Sequence, residues 1–218
     1  MRALVVVCLL ASNARADWRE VAERWGGVAW LHLEVTGLER IEAAPPGFEE
    51  LALAGARLHG LATPNSWIAY HVGFDIAAGS TVRGAGFAYD VALFPVGAAV
   101  RFGESSFVAL GAGVGAMGAV GTLDDAATFP LELTVEAGGS VRVLARARAS
   151  LLAGAARRDH ELEGALALRI GHRYHDFKFP SGNGYFIGVA YREIEGARFV
   201  GATIGYSIDL ATPPDGVQ

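Results

Sequence analysis

Residues 67–77 read WIAYHVGFDIA, and this stretch decides the fold class. Ile68, Tyr70, Val72, Phe74 and Ile76 fall on one side of an extended chain, with Ala69, His71, Gly73 and Asp75 on the other. A period of two belongs to a strand, because successive side chains point to opposite faces. Working outward, the same period recurs. Phe87, Tyr89, Val91 and Leu93 form an apolar row, and after Pro95 the row becomes Val96, Val100 and Phe102. That change of parity predicts a tight turn at Phe94-Pro95. Val108 to Val114, Leu131 to Val135, 140–153, 161–173, Tyr185 to Tyr191 and Val200 to Leu210 alternate in the same way, and a weaker run covers Val28 to Thr36. Turn formers such as Ala78-Gly79-Ser80, Gly103-Glu104-Ser105, Gly138-Gly139 and Glu195-Gly196 separate the runs. The pattern predicts an all-β, antiparallel up-and-down β-barrel of about 8–10 strands within about 28–210.

The start of the chain reads differently. Arg2, an apolar run from Ala3 to Ala11, and Ala14-Arg15-Ala16 have the order of a signal peptide, with cleavage expected before Asp17. The run is too short to cross a bilayer as a helix. Asp17 to Trp25 predicts a short helix, with Trp18, Val21 and Trp25 on one face and Gly26-Gly27 stopping it. The expected organisation is therefore a signal peptide at 1–16 and one barrel domain at 17–218, ending in a tail at 211–218. Cys8, the one cysteine, lies in the signal, so a disulfide frame or cysteine-based site is excluded from the mature chain.

Composition narrows the classes further. With 52% hydrophobic and 19% charged residues, the 218-residue chain is too apolar to remain disordered. A net charge of −5 offers no basic footprint for nucleic acid. No uncharged apolar stretch after the signal is long enough for a transmembrane helix, which leaves a closed barrel as the one route across a membrane.

Which face meets solvent separates the remaining readings. The polar face is rich in glycine and alanine, which suits a narrow interior. Trp30, Trp67, Phe94, Phe107, Phe129, Tyr185 and Phe199 recur near strand ends, where aromatic girdles would sit. In this pattern, over roughly residues 28–210, the sequence resembles small Gram-negative outer-membrane β-barrel proteins. The resemblance implies lipid outside, charges inside, short periplasmic turns and longer outer loops. With ten strands and a periplasmic N-terminus, 37–66 and 118–128 fall outside and 174–183 falls in the periplasm. Barrels of this class commonly end on an aromatic residue, whereas this last strand ends Ile208-Asp209-Leu210, with eight residues beyond it. A soluble secreted barrel of lipocalin type, in the periplasm or outside the cell, would reverse the two faces.

The inward charges predicted by parity are Glu34, Asp75, Asp90, Glu132, Glu136, Glu161, Glu163 and Asp209, with Arg101, Arg142, Arg146, Arg148, Arg169, Arg173 and Arg192. Near balance predicts cross-strand ion pairs filling a narrow lumen, with Glu132, Glu136, Arg142, Arg146, Arg148, Glu161, Glu163, Arg169 and Arg173 as the candidate network. Barrels of this size leave little room after side chains are placed, which disfavours a wide diffusion pore.

Motifs for chemistry are weak. Gly113 to Gly118 matches the dinucleotide-binding pattern by letter, but its glycines alternate inside a strand and no helical period follows. His172, His175 and Asp176 form the densest group of potential ligands, at a strand exit where no helix spaces them for a metal. Lipid A deacylases of the outer membrane carry a serine just after a histidine. Here Tyr174 or Asp176 stands at that place, and Ser181 lies six residues beyond His175. The loop Phe179 to Phe186 reads as a hairpin closure. Segment 37–66 reads as a long loop containing His59, with 50–60 able to pair as an extra strand; His71 reads as a lumen residue. No catalytic, metal or cofactor-binding residue is assigned. The expected protein is a non-enzymatic outer-membrane barrel with lipid as its partner, in a structural, adhesive or small-ligand role. A soluble apolar-ligand carrier and a membrane-embedded lipid-modifying enzyme are the alternatives.

Overall fold

The computed structural model describes residues 27–41, 49–62, 68–81, 86–102, 106–119, 123–138, 141–152, 158–169, 184–194 and 197–212. The expected signal segment, the helix at 17–25, His172, Arg173, His175 and loop residues 179–183 lie outside the described residues, as does the tail beyond Thr212.

Ten strands follow one another: β1 (Gly27–Arg40), β2 (Glu50–Ala62), β3 (Ile68–Thr81), β4 (Phe87–Phe102), β5 (Ser106–Ala119), β6 (Leu123–Gly138), β7 (Val141–Leu152), β8 (Arg158–Arg169), β9 (Gly184–Ile194) and β10 (Ala197–Thr212). Each pairs antiparallel with its sequence neighbours, and β1 pairs with β10 from Gly27–Thr212 to Arg40–Phe199, so the sheet closes into a barrel. Closure leaves no edge strand and satisfies the ladder within the ring. Following the register once around the sheet returns to β1 displaced by about twelve residues, a stagger that tilts the strands by about 40°.

Two sequence readings are corrected, and their errors cancel in the count. The segment taken as a long loop at 37–66 contains β2, paired on both sides. The parity change at Phe94-Pro95 is no turn. Residues 87–102 form one strand whose register to β3 shifts between the pairs Gly73–Phe94 and Tyr70–Ala98, and whose register to β5 shifts between Leu93 and Val96. A bulge inserts one residue and moves the apolar row to the opposite parity without ending the strand. Proline is tolerated there because a bulge frees its position from donating to the ladder. As a consequence, Ile68–Thr81 runs away from the end holding Gly27 and Thr212, not towards it. The 41–49, 82–86, 120–122, 153–157 and 195–196 connections lie at the far end. The near end carries 63–67, 103–105, 139–140 and the long 170–183 connection.

Alternation sorts the faces. In β10, Val200, Ala202 and Ile204 are exposed, while Phe199, Thr203 and Ser207 are buried. In β9, Tyr185, Ile187 and Val189 are 67%, 63% and 67% exposed, whereas Phe186 and Arg192 between and beyond them are 3% and 4% exposed. The apolar rows therefore face outward and the charges inward. Glycine makes room inside. A Cβ on Gly73 would sit 2.7 Å from the His59 ring, and one on Gly205 would sit 2.3 Å from Cζ of Phe186.

Candidate functional site

The barrel interior is built in three layers. Near the end holding Gly27 and Thr212, Trp30, Leu61, Ala69, Ala99, Phe107 and Ala109 pack into one buried apolar cluster. These residues come from the matching ends of five consecutive strands, β1 to β5. At the far end a second cluster joins Leu38, Leu51, Leu53, Ala88, Met117, Ala190 and Phe199 across the lumen. The charges occupy the level between them.

In that middle layer the arginines bridge carboxylates. Arg146 Nη1 donates to Asp75 Oδ2 at 3.2 Å and to Glu132 Oε2 at 3.2 Å, joining β7 to β3 and β6. Arg148 donates to Asp90 and stands 3.9 Å from Asp75 Oδ2. Arg192 donates to Asp90 Oδ2 at 2.7 Å, and Arg57 donates to Glu34. Glu132 is 1% exposed and Arg148 5%, so these charges are taken out of water together. Such burial is tolerated because every charge meets an opposite one with hydrogen-bonding geometry. Pairing at close range also stiffens the ring, since Arg146–Asp75, Arg148–Asp90 and Arg192–Asp90 tie strands that are not neighbours.

A second chain of bonds runs towards the near end. His59 Nε2 lies 2.7 Å from Asp75 Oδ1, and His59 Nδ1 lies 2.9 Å from His71 Nε2. Trp30 stacks on both rings, with centroids 5.8 Å from His59 and 6.3 Å from His71. Phe94 flanks His59 at 6.0 Å and Phe107 flanks Trp30 at 5.6 Å. The result is one bonded column from His71 through His59, Asp75 and Arg146 to Glu132.

His59, Asp75 and Glu132 also offer ligand atoms within 4.8 Å of one another, a donor set suited to a divalent metal. A guanidinium already bridges both carboxylates of this set, as the Arg146 distances show. The site's cationic place is thus filled from within the chain. Among the described residues, two cavities of about 40 Å³ lie in the lumen. Each has room for a few waters and is far below the space of a drug-sized or lipid ligand.

The predicted network is partly assembled here. Glu132, Arg146 and Arg148 take part as described, and Glu136 is buried at 3% exposure beside the first cavity with Arg146. Arg142, Glu161, Glu163 and Arg169 are placed by backbone alone. The register sets Glu163 opposite Arg146, and Glu161 opposite both Arg148 and Arg192, while Arg142 faces Gly138 and Ala167 and Arg169 faces Gly184. Arg173 is outside the described residues.

The ion pairs run between strands as expected: Arg146–Glu132 and Arg57–Glu34 join neighbours, while Arg146–Asp75, Arg148–Asp90 and Arg192–Asp90 cross the lumen. The aromatic girdle needs correction. Four residues expected in aromatic girdles point inward instead: Trp30, Phe94, Phe107 and Phe199 are at most 6% exposed. Their parity carried the signal, since Phe107 shares a face with Ala109 and Phe199 with Thr203. Phe129 and Tyr185 are exposed as expected, and Trp67 is outside the described residues. His59, expected in a polar loop, is buried in β2, and Arg57 beside it was missed. His71 lies in the lumen as its parity predicts. The Gly113 to Gly118 run lies within β5.

No protein-family model matches the sequence, and no curated protein matches it. Among solved structures, the anion-selective porin from Comamonas acidovorans is similar over 82% of this chain, with 11% identity and a TM-score of 0.41. The chain spans 59% of that porin's length.

Proposed function

We propose that this protein is an outer-membrane β-barrel of structural, adhesive or small-ligand-binding role, with lipid against its outer face, a sealed charge-paired lumen and no catalysis. The observation that carries the reading is the inverted polarity of the closed barrel. Leucine, isoleucine, valine, phenylalanine and tyrosine are exposed outside, while arginines and carboxylates are buried inside. In water this arrangement leaves an apolar surface far larger than a soluble monomer shows. In a bilayer it becomes the favourable one.

The height of the band agrees. From Val200 to Ile208 the outward row of β10 spans about 20–25 Å along the barrel axis, at about 3.4 Å per residue and a tilt of about 40°. Outward aromatics stand at both ends of the band: Phe87, Tyr89, Phe129 and Tyr191 towards the far end, and Tyr70, Phe102, Tyr185 and Tyr206 towards the near end. A soluble carrier of apolar ligands needs the opposite lining and a larger cavity.

The test is cell fractionation of the expressed chain, followed by electrophoresis with and without heating. Recovery in detergent-solubilised outer membrane, with mobility that changes on boiling, is the expected result. Recovery as a detergent-free soluble monomer contradicts the reading and sends the search to secreted barrels.

A further inference from the structure

The apolar cluster at the near end contains an element that responds to protons. A hydrogen bond between two imidazole nitrogens requires one N–H and one bare lone pair. The 2.9 Å contact between His59 Nδ1 and His71 Nε2 therefore exists only while one of these two nitrogens is unprotonated. If both rings are protonated, N–H faces N–H and two like charges touch. Neither ring has room to turn in place. Trp30 covers both, and Gly97 brings backbone against His71 so closely that a Cβ there would lie 3.0 Å from its Nδ1.

The surrounding charges set the direction of escape. His32 on β1, Arg57 on β2, Asp75 on β3, Glu132 and Glu136 on β6 and Arg146 on β7 face this pair or the cavity beside it. Strands β4 and β5 present Phe94, Gly97, Phe107 and Gly111 there, and the register sets Arg101 of β4 opposite Phe107. Asp75 holds His59 through Oδ1 and is shared with Arg146 through Oδ2, so its negative charge is already divided. Arg57 and Arg146 lie on the mid-lumen side, so a second cation at His71 is repelled from that side.

We propose that the His59–His71–Trp30 stack is a proton-operated gate at the near end of the lumen: double protonation breaks the imidazole pair, unseats Trp30 and admits water to the charged layer, while the far-end apolar cluster stays closed. This deepens the sealed-lumen reading and rests on it. The role is regulated access from one side, not conduction through the barrel.

The experiment uses the full chain carrying Trp18→Phe, Trp25→Phe and Trp67→Phe, so that Trp30 is the one indole, and reads acrylamide quenching of its emission. At about pH 7.5 Trp30 should be shielded, and as the pH is lowered stepwise to about 3.5 quenching should rise several-fold and reversibly. His71→Gln, which keeps a polar group near His59 but takes no proton, should abolish the rise; His71→Phe is the second variant, with boiled and unboiled mobility confirming that each folds. Strong quenching already at neutral pH overturns the sealed lumen itself. Shielding at both pH values, or an undiminished rise in His71→Gln and His71→Phe, overturns the gate alone.

Discussion

Replacing Arg146 by methionine removes a cation that bridges Asp75 and Glu132 while keeping most of the side chain's volume. Glu132 is 1% exposed, and its carboxylate would remain in the lumen without that partner. Asp75 keeps its bond to His59 and its longer approach to Arg148. Breaking a buried ion pair from one side costs about 3–5 kcal/mol, because the stranded charge stays desolvated. Adding Glu132→Gln to Arg146→Met removes that stranded charge and should recover about 1–3 kcal/mol of the loss, a coupling typical of residues in direct contact. Arg146→Lys should fall between wild type and methionine, since an ammonium lacks the planar fork that reaches two carboxylates at once. The assay is urea unfolding of the barrel refolded into lipid vesicles, followed by the mobility difference between boiled and unboiled samples. A loss below about 1 kcal/mol for Arg146→Met, or no recovery in the double variant, would refute the reasoning, because it would mean water already screens the layer.

Three shorter predictions use other parts of the barrel. Gly73→Val should destabilise by about 1–3 kcal/mol through collision with the His59 ring, whereas Gly37→Ala, where an added Cβ meets nothing within 4 Å, should be near neutral; paired unfolding curves decide between them. Ile187→Arg places a charge in the outward apolar band and should lower folding into vesicles by about 2–4 kcal/mol, while the same change at Phe87, near the rim, should cost about 0–1 kcal/mol. Deleting Pro95 removes the extra residue of the bulge and leaves Val96, Val100 and Phe102 on the outward row, so the variant should keep its heat-modifiable band; loss of the band would show that the bulge itself is needed to hold the ladders to β3 and β5.

What the sequence disclosed follows from contrast between its two strand faces. Where one row is bulky and the other small or charged, as in 67–77 or 200–210, the period of two names both the strand and its orientation. In β2 the contrast disappears. Its outward row is Ala52, Ala54, Ala56, Leu58 and Gly60, while Leu51, Leu53 and Leu61 are buried inside. That stretch reads as a loop with 50–60 able to pair as a strand, and without a clear parity Arg57 and His59 gain no inward assignment. At Phe94-Pro95 a parity change has two physical solutions, a turn or a bulge, and only the ladder on both sides chooses between them. The inward charges were legible residue by residue from parity, Asp75, Asp90, Glu132, Arg146, Arg148 and Arg192 among them. Their partners were not, because Arg192 meets Asp90 across a lumen whose width and stagger exist only after closure. The far-end apolar cluster was hidden for the same reason, since it joins β1 and β2 to β9 and β10, and the near-end cluster forms only once β1 to β5 curl around the lumen.

The central claim is that the aliphatic row faces lipid and the charged row does not, and two adjacent residues test it. Phe186 is 3% exposed and Ile187 63% exposed on the same strand. Tryptophan placed at each position in turn, in barrels refolded into vesicles with bromine on the acyl chains, reports contact with lipid by quenching, measured against the parent protein's own tryptophans. The account predicts strong quenching for Ile187→Trp and little for Phe186→Trp. Quenching at 186 but not at 187 would invert the barrel's two faces and contradict the account.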